Sequence, residues 1–175
     1  MDPGIYNHDY YDLVLRQNSS TAECICGIRW EFVSSVNPRT VLDYGAGVGW
    51  FRAFAPKWTK VDTYDIGPFV QTGIQHERYD LVTMWDVIEH IPDLDVLKDI
   101  FAKTSYVAMA VPILPEGKSL KEWKHYKPGE HLHYFTVRLL DEIMACYGFN
   151  KIKEGSPEGV LREDIVSVLY AKSNT

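Results

Sequence analysis

Thr40-Val41-Leu42-Asp43-Tyr44-Gly45-Ala46-Gly47-Val48-Gly49-Trp50-Phe51 holds the pattern from which the rest of this chain can be read. Its apolar start, Thr40-Val41-Leu42, reads as a buried strand. Three glycines then fall at alternate positions, and an apolar segment with helical spacing follows. A strand that passes into a helix through glycines leaves backbone N–H groups free at the turn and no side chain to block a ligand's approach. The pattern predicts a nucleotide-type cofactor site, against the alternative of a glycine-rich turn with a structural role only.

Asp43 narrows the cofactor. A dinucleotide site lays a pyrophosphate over its glycine turn, with the spacing G-x-G-x-x-G. Here the spacing is G-x-G-x-G, and a carboxylate stands two residues before the first glycine. At about 4 Å a second negative charge would cost roughly 1 to 4 kcal/mol, depending on screening. The same carboxylate suits a cofactor with positive charge. S-adenosylmethionine carries an ammonium and a sulfonium and has no phosphate. Asp65 lies 20 residues after Gly45, at the end of the apolar stretch Val61-Asp62-Thr63-Tyr64, where an acidic residue can bind ribose hydroxyls. Asp43 thus points to the cofactor class, and Asp65 to a nucleoside.

Asp43-x-Gly45-x-Gly47-x-Gly49, then Asp65, then Tyr79-Asp80-Leu81-Val82 and Val87-Ile88-Glu89-His90-Ile91 form an ordered set. Together they resemble a class I S-adenosylmethionine-dependent methyltransferase, nearest to the small-molecule group related to the ubiquinone-biosynthesis O-methyltransferases. The resemblance spans residues 38 to 172. It implies an α/β fold: a Rossmann-like class I methyltransferase sandwich, its sheet mostly parallel with a C-terminal antiparallel strand. It implies S-adenosylmethionine as cofactor and S-adenosylhomocysteine as product. Cofactor contacts are expected from Asp43, Gly45, Ala46, Gly47, Gly49, Asp65, Ile66, Trp85 and Asp86. One departure stands out. Only thirteen residues separate Asp65 from Tyr79, where the family fits a helix and a third strand. The sheet is therefore expected to be abbreviated around strand three, with a short strand near Phe69 to Ile74. The family's adenine-contacting acidic residue has no counterpart there, and Gln71, Gln75 or Trp85 are its substitutes.

A length of 175 residues suits one domain, and 46% hydrophobic content supports a substantial core. We expect a single methyltransferase domain over 1–175, with an N-terminal helical cap at 1–37 and a cofactor-binding core at 38–175 that carries an acceptor-side insertion at 112–135. A net charge of −6 argues against a broad nucleic-acid footprint. No apolar run approaches a membrane span. Met1-Asp2-Pro3-Gly4 lacks a signal-peptide pattern, and the expected location is cytoplasmic. Cys24, Cys26 and Cys146 read as ordinary buried thiols, because Cys24-x-Cys26 is too close for a zinc pair and no second pair exists. The sequence gives no oligomeric state.

Tyr6, Tyr10 and Tyr11 belong to a segment that either folds over the cofactor or packs as an arm. Ser19-Ser20-Thr21 with Glu23 offers helix caps, and Ile25, Ile28, Phe32 and Val36 fall on one helical face that ends at Asn37-Pro38. Strands are expected at 39–43, 60–64, 80–84 and 106–111, with a helix over 50–55 and another begun by Pro92-Asp93. Thr136 caps a last helix stopped by Gly148, and 149–154 with 165–171 form a closing strand pair.

Methyl transfer to a hydroxyl needs an aligned nucleophile and a destination for its proton. The 24-residue insertion Pro112–Phe135 holds three of the six histidines within nine residues. Pro128-Gly129-Glu130-His131-Leu132-His133-Tyr134-Phe135-Thr136 resembles a segment that precedes the last helix in this group. His131 and His133 are the candidate general bases, against a role in fixing the loop. His90, Trp123, His125, Tyr126 and Glu130 are the candidate acceptor contacts, and aromatic faces such as those of Trp50 and Trp85 suit a sulfonium or a flat acceptor. In Asp86-x-x-Glu89-His90 the spacing of three puts both carboxylates on one face of a helical turn. Some members of the resembling group hold a divalent metal with such a stretch, and magnesium or zinc would suit it. The alternative is a wall of the substrate side, and no metal is assigned.

These features together imply transfer of a methyl group to an oxygen or nitrogen of a small-molecule acceptor. Trp85-Asp86-Val87-Ile88 lacks the Asn/Asp-Pro-Pro-aromatic motif of nucleic-acid amino-methylating enzymes. A protein or peptide acceptor stays open, as does a non-catalytic cofactor-binding protein that acts through a partner. A nicotinamide enzyme is disfavoured by the glycine spacing and Asp43.

Overall fold

Alternation along the central strands assigns the two faces of one six-stranded sheet. In the computed structural model, which describes residues 19–67 and 73–173, the strands are β1 (Thr40–Tyr44), β2 (Lys60–Tyr64), β3 (Tyr79–Trp85), β4 (Thr104–Pro112), β5 (Phe149–Gly155) and β6 (Ile165–Lys172). Their spatial order is β2-β1-β3-β4-β6-β5. The pairs β1–β2, β1–β3 and β3–β4 are parallel, while β6 runs antiparallel to β4 and β5. This is the expected mostly parallel, Rossmann-like sheet with its antiparallel C-terminal end.

Leu42, Val82, Met84, Val107, Met109, Val168 and Tyr170 point to one face. There α3 (Lys98–Ala102) and α4 (Val137–Cys146) cover them through Phe101, Leu140 and Met144. Val41, Leu81, Trp85, Ala108, Ala110 and Leu169 point to the other, under α1 (Ser19–Val33) and α2 (Trp50–Ala53). Ala108 and Ala110 are the small members of that second face, which leaves room for Trp30 and Phe51, stacked at 4.1 Å and 5°. Thr136 caps α4 as expected, its hydroxyl accepting from the Leu139 N–H, and Gly148 leaves the helix at φ +80°.

Three expectations are corrected. The buried face of α1 is Cys26, Trp30, Phe32 and Val33, while Ile25 and Ile28 are only half-buried. The helix is turned so that Trp30 meets Phe51 and its Nε1 donates to the Phe51 carbonyl at 2.9 Å. Of the cysteines, only Cys26 is buried; Cys24 and Cys146 are exposed. The helix after the glycine turn is a single turn, Trp50–Ala53, rather than 50–55.

Tyr6, Tyr10 and Tyr11 lie outside the described residues, as do 69–72 of the expected short strand. Residues 73–78 form no strand, so among the described residues β2 is a sheet edge. Residues 75–79 are tied to β2 by Asp62, which accepts from Gln75 N–H, His76 Nδ1 and Tyr79 Oη. No helix among the described residues is long and apolar enough to cross a membrane.

Candidate active site

Open α/β sheets bind ligands beyond the carboxyl ends of their strands, where the strand order reverses. Here that point lies at the ends of β1, β2 and β3. A cavity of about 560 Å³ opens there, lined by Asp43, the Gly45–Val48 turn, Asp65, Ile66, Trp85, Asp86 and His90 among others. Of the nine expected cofactor residues, all but Gly49 line it; Gly49 instead holds the start of α2 at φ +81°.

The turn is built by its neighbours. Gly45 and Ala46 N–H both donate to the Tyr64 carbonyl, and Gly47 N–H donates to Asp65 Oδ2 at 2.7 Å. The other oxygen of Asp65 accepts from Gly67 N–H. Gly45 sits at φ +80°, and a Cβ there would run into the Val87 methyls. Asp65 therefore shapes the turn as well as facing the cavity. With α2 only one turn long, side chains rather than a helix dipole supply the charge here.

Asp43 is the most consequential of them. It is 2% exposed, and its Oδ1 accepts from Thr83 Oγ1 at 2.8 Å. Burial pushes its carboxyl up to about 7, against the pull of Thr83 and Arg29. No ion pair reaches it among the described residues. A buried carboxylate on the wall of a cavity is a seat for a cation, and the acidic and aromatic lining fits a positively charged nucleoside.

Asp86 is placed differently from expectation. It has φ +59°, which breaks the helical turn assumed for Asp86-x-x-Glu89. Arg162 grips both of its oxygens, Nη2 to Oδ1 at 2.6 Å and Nη1 to Oδ2 at 2.8 Å, and Arg29 adds a third bond at 3.1 Å. Glu158, fully buried, bridges the same two guanidinium groups. Burial raises the Asp86 carboxyl, but Arg162 and then Arg29 outweigh it and hold the group below its ordinary range. Arg29 also lies over Trp85, 5.0 Å from the ring centre. Arg29, Glu158 and Arg162 carry no motif signal, because they come from distant parts of the chain.

The insertion docks on the turn after β3. The Glu89 carbonyl accepts from Leu132 and His133 N–H. His133 Nε2 donates to the Ile91 carbonyl at 2.8 Å, and His90 Nδ1 donates to the Glu130 carbonyl at 2.9 Å. His131 is buried, edge-on to His90 with centroids 4.8 Å apart, and burial with His90 beside it pushes its pKa down to about 4. Glu89 is 1% exposed, and neither of its carboxylate oxygens has a hydrogen-bond partner. Burial, then the charge of Asp86, pushes its pKa up to about 8.

Of the candidate acceptor contacts, His90 lines the cavity; Trp123, His125, Tyr126 and Glu130 do not. Trp123 Nε1 donates to Asp164 Oδ2, and His125 Nε2 to the Glu163 carbonyl, which latches the insertion to the β5–β6 loop. Tyr126 packs on Tyr134, and Glu130 pairs with Lys127. His131 and His133 also stand outside the cavity lining, one behind His90 and one beneath Ile91.

A family model described as a methyltransferase domain matches residues 24–154. The chain belongs to this methyltransferase family. Its enzyme class is thus S-adenosylmethionine-dependent methyltransferase, the class its motif order resembles. Among solved structures, magnesium protoporphyrin IX methyltransferase from Synechocystis PCC 6803, with bound S-adenosylhomocysteine, is similar over 98% of each chain, at 16% identity and a TM-score of 0.65. The 1,6-didemethyltoxoflavin-N1-methyltransferase from Burkholderia thailandensis, with its namesake molecule and S-adenosylhomocysteine bound, is similar over 98% of this methyltransferase and 85% of its own chain, at 18% identity and a TM-score of 0.65. Mitomycin 7-O-methyltransferase matches 94% of this chain and 58% of its own, at 11% identity and a TM-score of 0.69. At these identities the likeness is one of fold. No curated protein matches the sequence.

Proposed function

We propose that this methyltransferase modifies an oxygen or nitrogen atom of a small-molecule acceptor, as a single cytoplasmic domain over residues 1–175. The observation that carries the reading is Asp43: a buried carboxylate, without an ion pair among the described residues, on the wall of a cavity that His90 also lines. Bound in this cavity, S-adenosylmethionine supplies an electrophilic methyl group. Asp43 receives the cofactor's ammonium, the Gly45–Gly47 turn admits the ribose beside Asp65, and Trp85 with Phe51 excludes water from one wall. The acceptor enters from the side of His90, Ile91, Pro92 and Asp93. Its nucleophile is activated at the corner where His131 backs His90; His133 holds the insertion to Ile91 and shapes that corner. A cavity of this size and a net charge of −6 favour a small molecule over a nucleic acid.

The test is release of S-adenosylhomocysteine, followed by mass spectrometry, with panels of phenols, hydroxy acids and heteroaromatic amines beside peptide and RNA controls. Turnover with a subset of the small molecules is expected. Turnover with peptide or RNA alone, or none by a protein that binds the cofactor, would replace the reading with a macromolecular or a non-catalytic one.

A further inference from the structure

The set Asp86, Glu89 and His90 does not form a metal site in this fold, because both oxygens of Asp86 are occupied by Arg162 and Arg29. The fold brings a different donor to the same corner. Ligand-type atoms of Glu89, His90 and His131 lie within 4.8 Å of one another, and all three residues are buried. Glu89 comes from the turn after β3, and His131 from the insertion, forty-two positions later.

Two observations point to a ligand. The first is Glu89 itself: a carboxylate 1% exposed, with neither oxygen hydrogen-bonded. Such a group costs stability unless something compensates it. The second is the orientation of His90. A carbonyl only accepts, so the proton of His90 is on Nδ1, which donates to the Glu130 carbonyl. Nε2 then lies on the Glu89 side of the ring, 3.9 Å from Glu89 Oε1. An imidazole whose other nitrogen donates to a backbone carbonyl is the usual arrangement of a metal-bound histidine.

We propose that Glu89, His90 and His131 form a three-donor site for a divalent transition-metal ion of the zinc class. Two imidazoles and one carboxylate suit zinc, cobalt or iron better than magnesium, which prefers oxygen donors. Donors about 2 Å from a tetrahedral ion are about 3.3 Å apart, so the three atoms close in by roughly 1 Å on binding. Three protein donors leave a coordination position open. His90 lines the cavity, so the site borders the end where the acceptor enters; that placement rests on the proposed function, whereas the binding of metal does not. A cation there makes an acceptor hydroxyl easier to deprotonate.

The experiment is titration of the chelator-treated full chain with cobalt(II), read by visible absorption, then displacement by zinc with metal content measured by mass spectrometry. Glu89→Gln and His131→Ala are run in parallel, with S-adenosylhomocysteine binding as the check on folding. One equivalent bound in a low-symmetry, tetrahedral-type site is expected, weakened a hundredfold or more in each variant, with magnesium unable to displace it. Adenosyl binding should stay within twofold of the parent. Less than a tenth of an equivalent bound by the folded chain, or equal binding by the variants, overturns the site. Metal binding without adenosyl binding would instead remove the proposed function and keep the site.

Discussion

Asp43 changes charge inside the working pH range, and its two consequences run in opposite directions. Its carboxyl sits at about 7 in the folded chain, against an ordinary value near 3.9. Between those values the folded state holds a proton that the unfolded state has released, so stability falls as pH rises through that window and levels off above 7. The full effect is bounded at about 4 kcal/mol. Urea unfolding of the ligand-free chain at pH 5 and pH 8 should show greater stability at pH 5, with a shallower difference in Asp43→Asn. Cation binding has the reverse dependence. The carboxylate fraction rises about tenfold from pH 6 to pH 8, so affinity for an adenosyl ligand bearing an ammonium should rise by about the same factor. The carboxylate's presence was legible in the sequence, because its spacing to Gly45 is local. Its burial was not, because the residues that bury it come from β3 and α1.

Single elements were read well where one period governs them. The six strands of the sheet lie within two residues of expectation, since alternating apolar residues fix them from both faces, whereas the described residues 73–74 of the expected short strand near Phe69 to Ile74 form none. The face of α1 was misread, because its apolar residues surround it and Arg29 also turns inward. The glycine turn is the sharpest case. Gly45 and Gly148 share φ +80°, but only at Gly45 does a Cβ meet a neighbour, Val87, while Gly148 faces open space. Gly148→Ala should cost about 1 kcal/mol, the left-handed backbone alone. Gly45→Ala should cost about 2 to 4 kcal/mol once overpacking is added, and should weaken the adenosyl ligand as well. Equal losses in thermal unfolding would show that the Val87 contact does not matter.

On the scale of the whole molecule, the site is closed by charges that no local pattern announces. Arg29, Asp86, Glu158 and Arg162 bind α1, the end of β3 and the β5–β6 loop into one group of two cations and two anions. Removing one buried member leaves an uncompensated charge, and Arg162→Met should cost about 3 to 5 kcal/mol in urea unfolding. Adding Glu158→Gln restores the balance, and the double variant should recover part of that loss. A double variant weaker than the sum of the singles would contradict the pairing. The insertion shows the same limit of sequence reading. Its length and its histidines marked it as functional, yet Trp123, His125 and His133 turn out to tether it, and only the fold brings His131 to Glu89 and His90.

The most direct test of a cationic-adenosyl site built on Asp43 and Asp65 is calorimetric titration at pH 8 with S-adenosylmethionine and S-adenosylhomocysteine. NAD serves as control, and Asp43→Asn and Asp65→Ala are run beside the parent. One-to-one binding of both adenosyl ligands is predicted, weakened tenfold or more in each variant, with none for NAD. A folded parent chain that binds neither ligand, or binds NAD more tightly, would contradict the account.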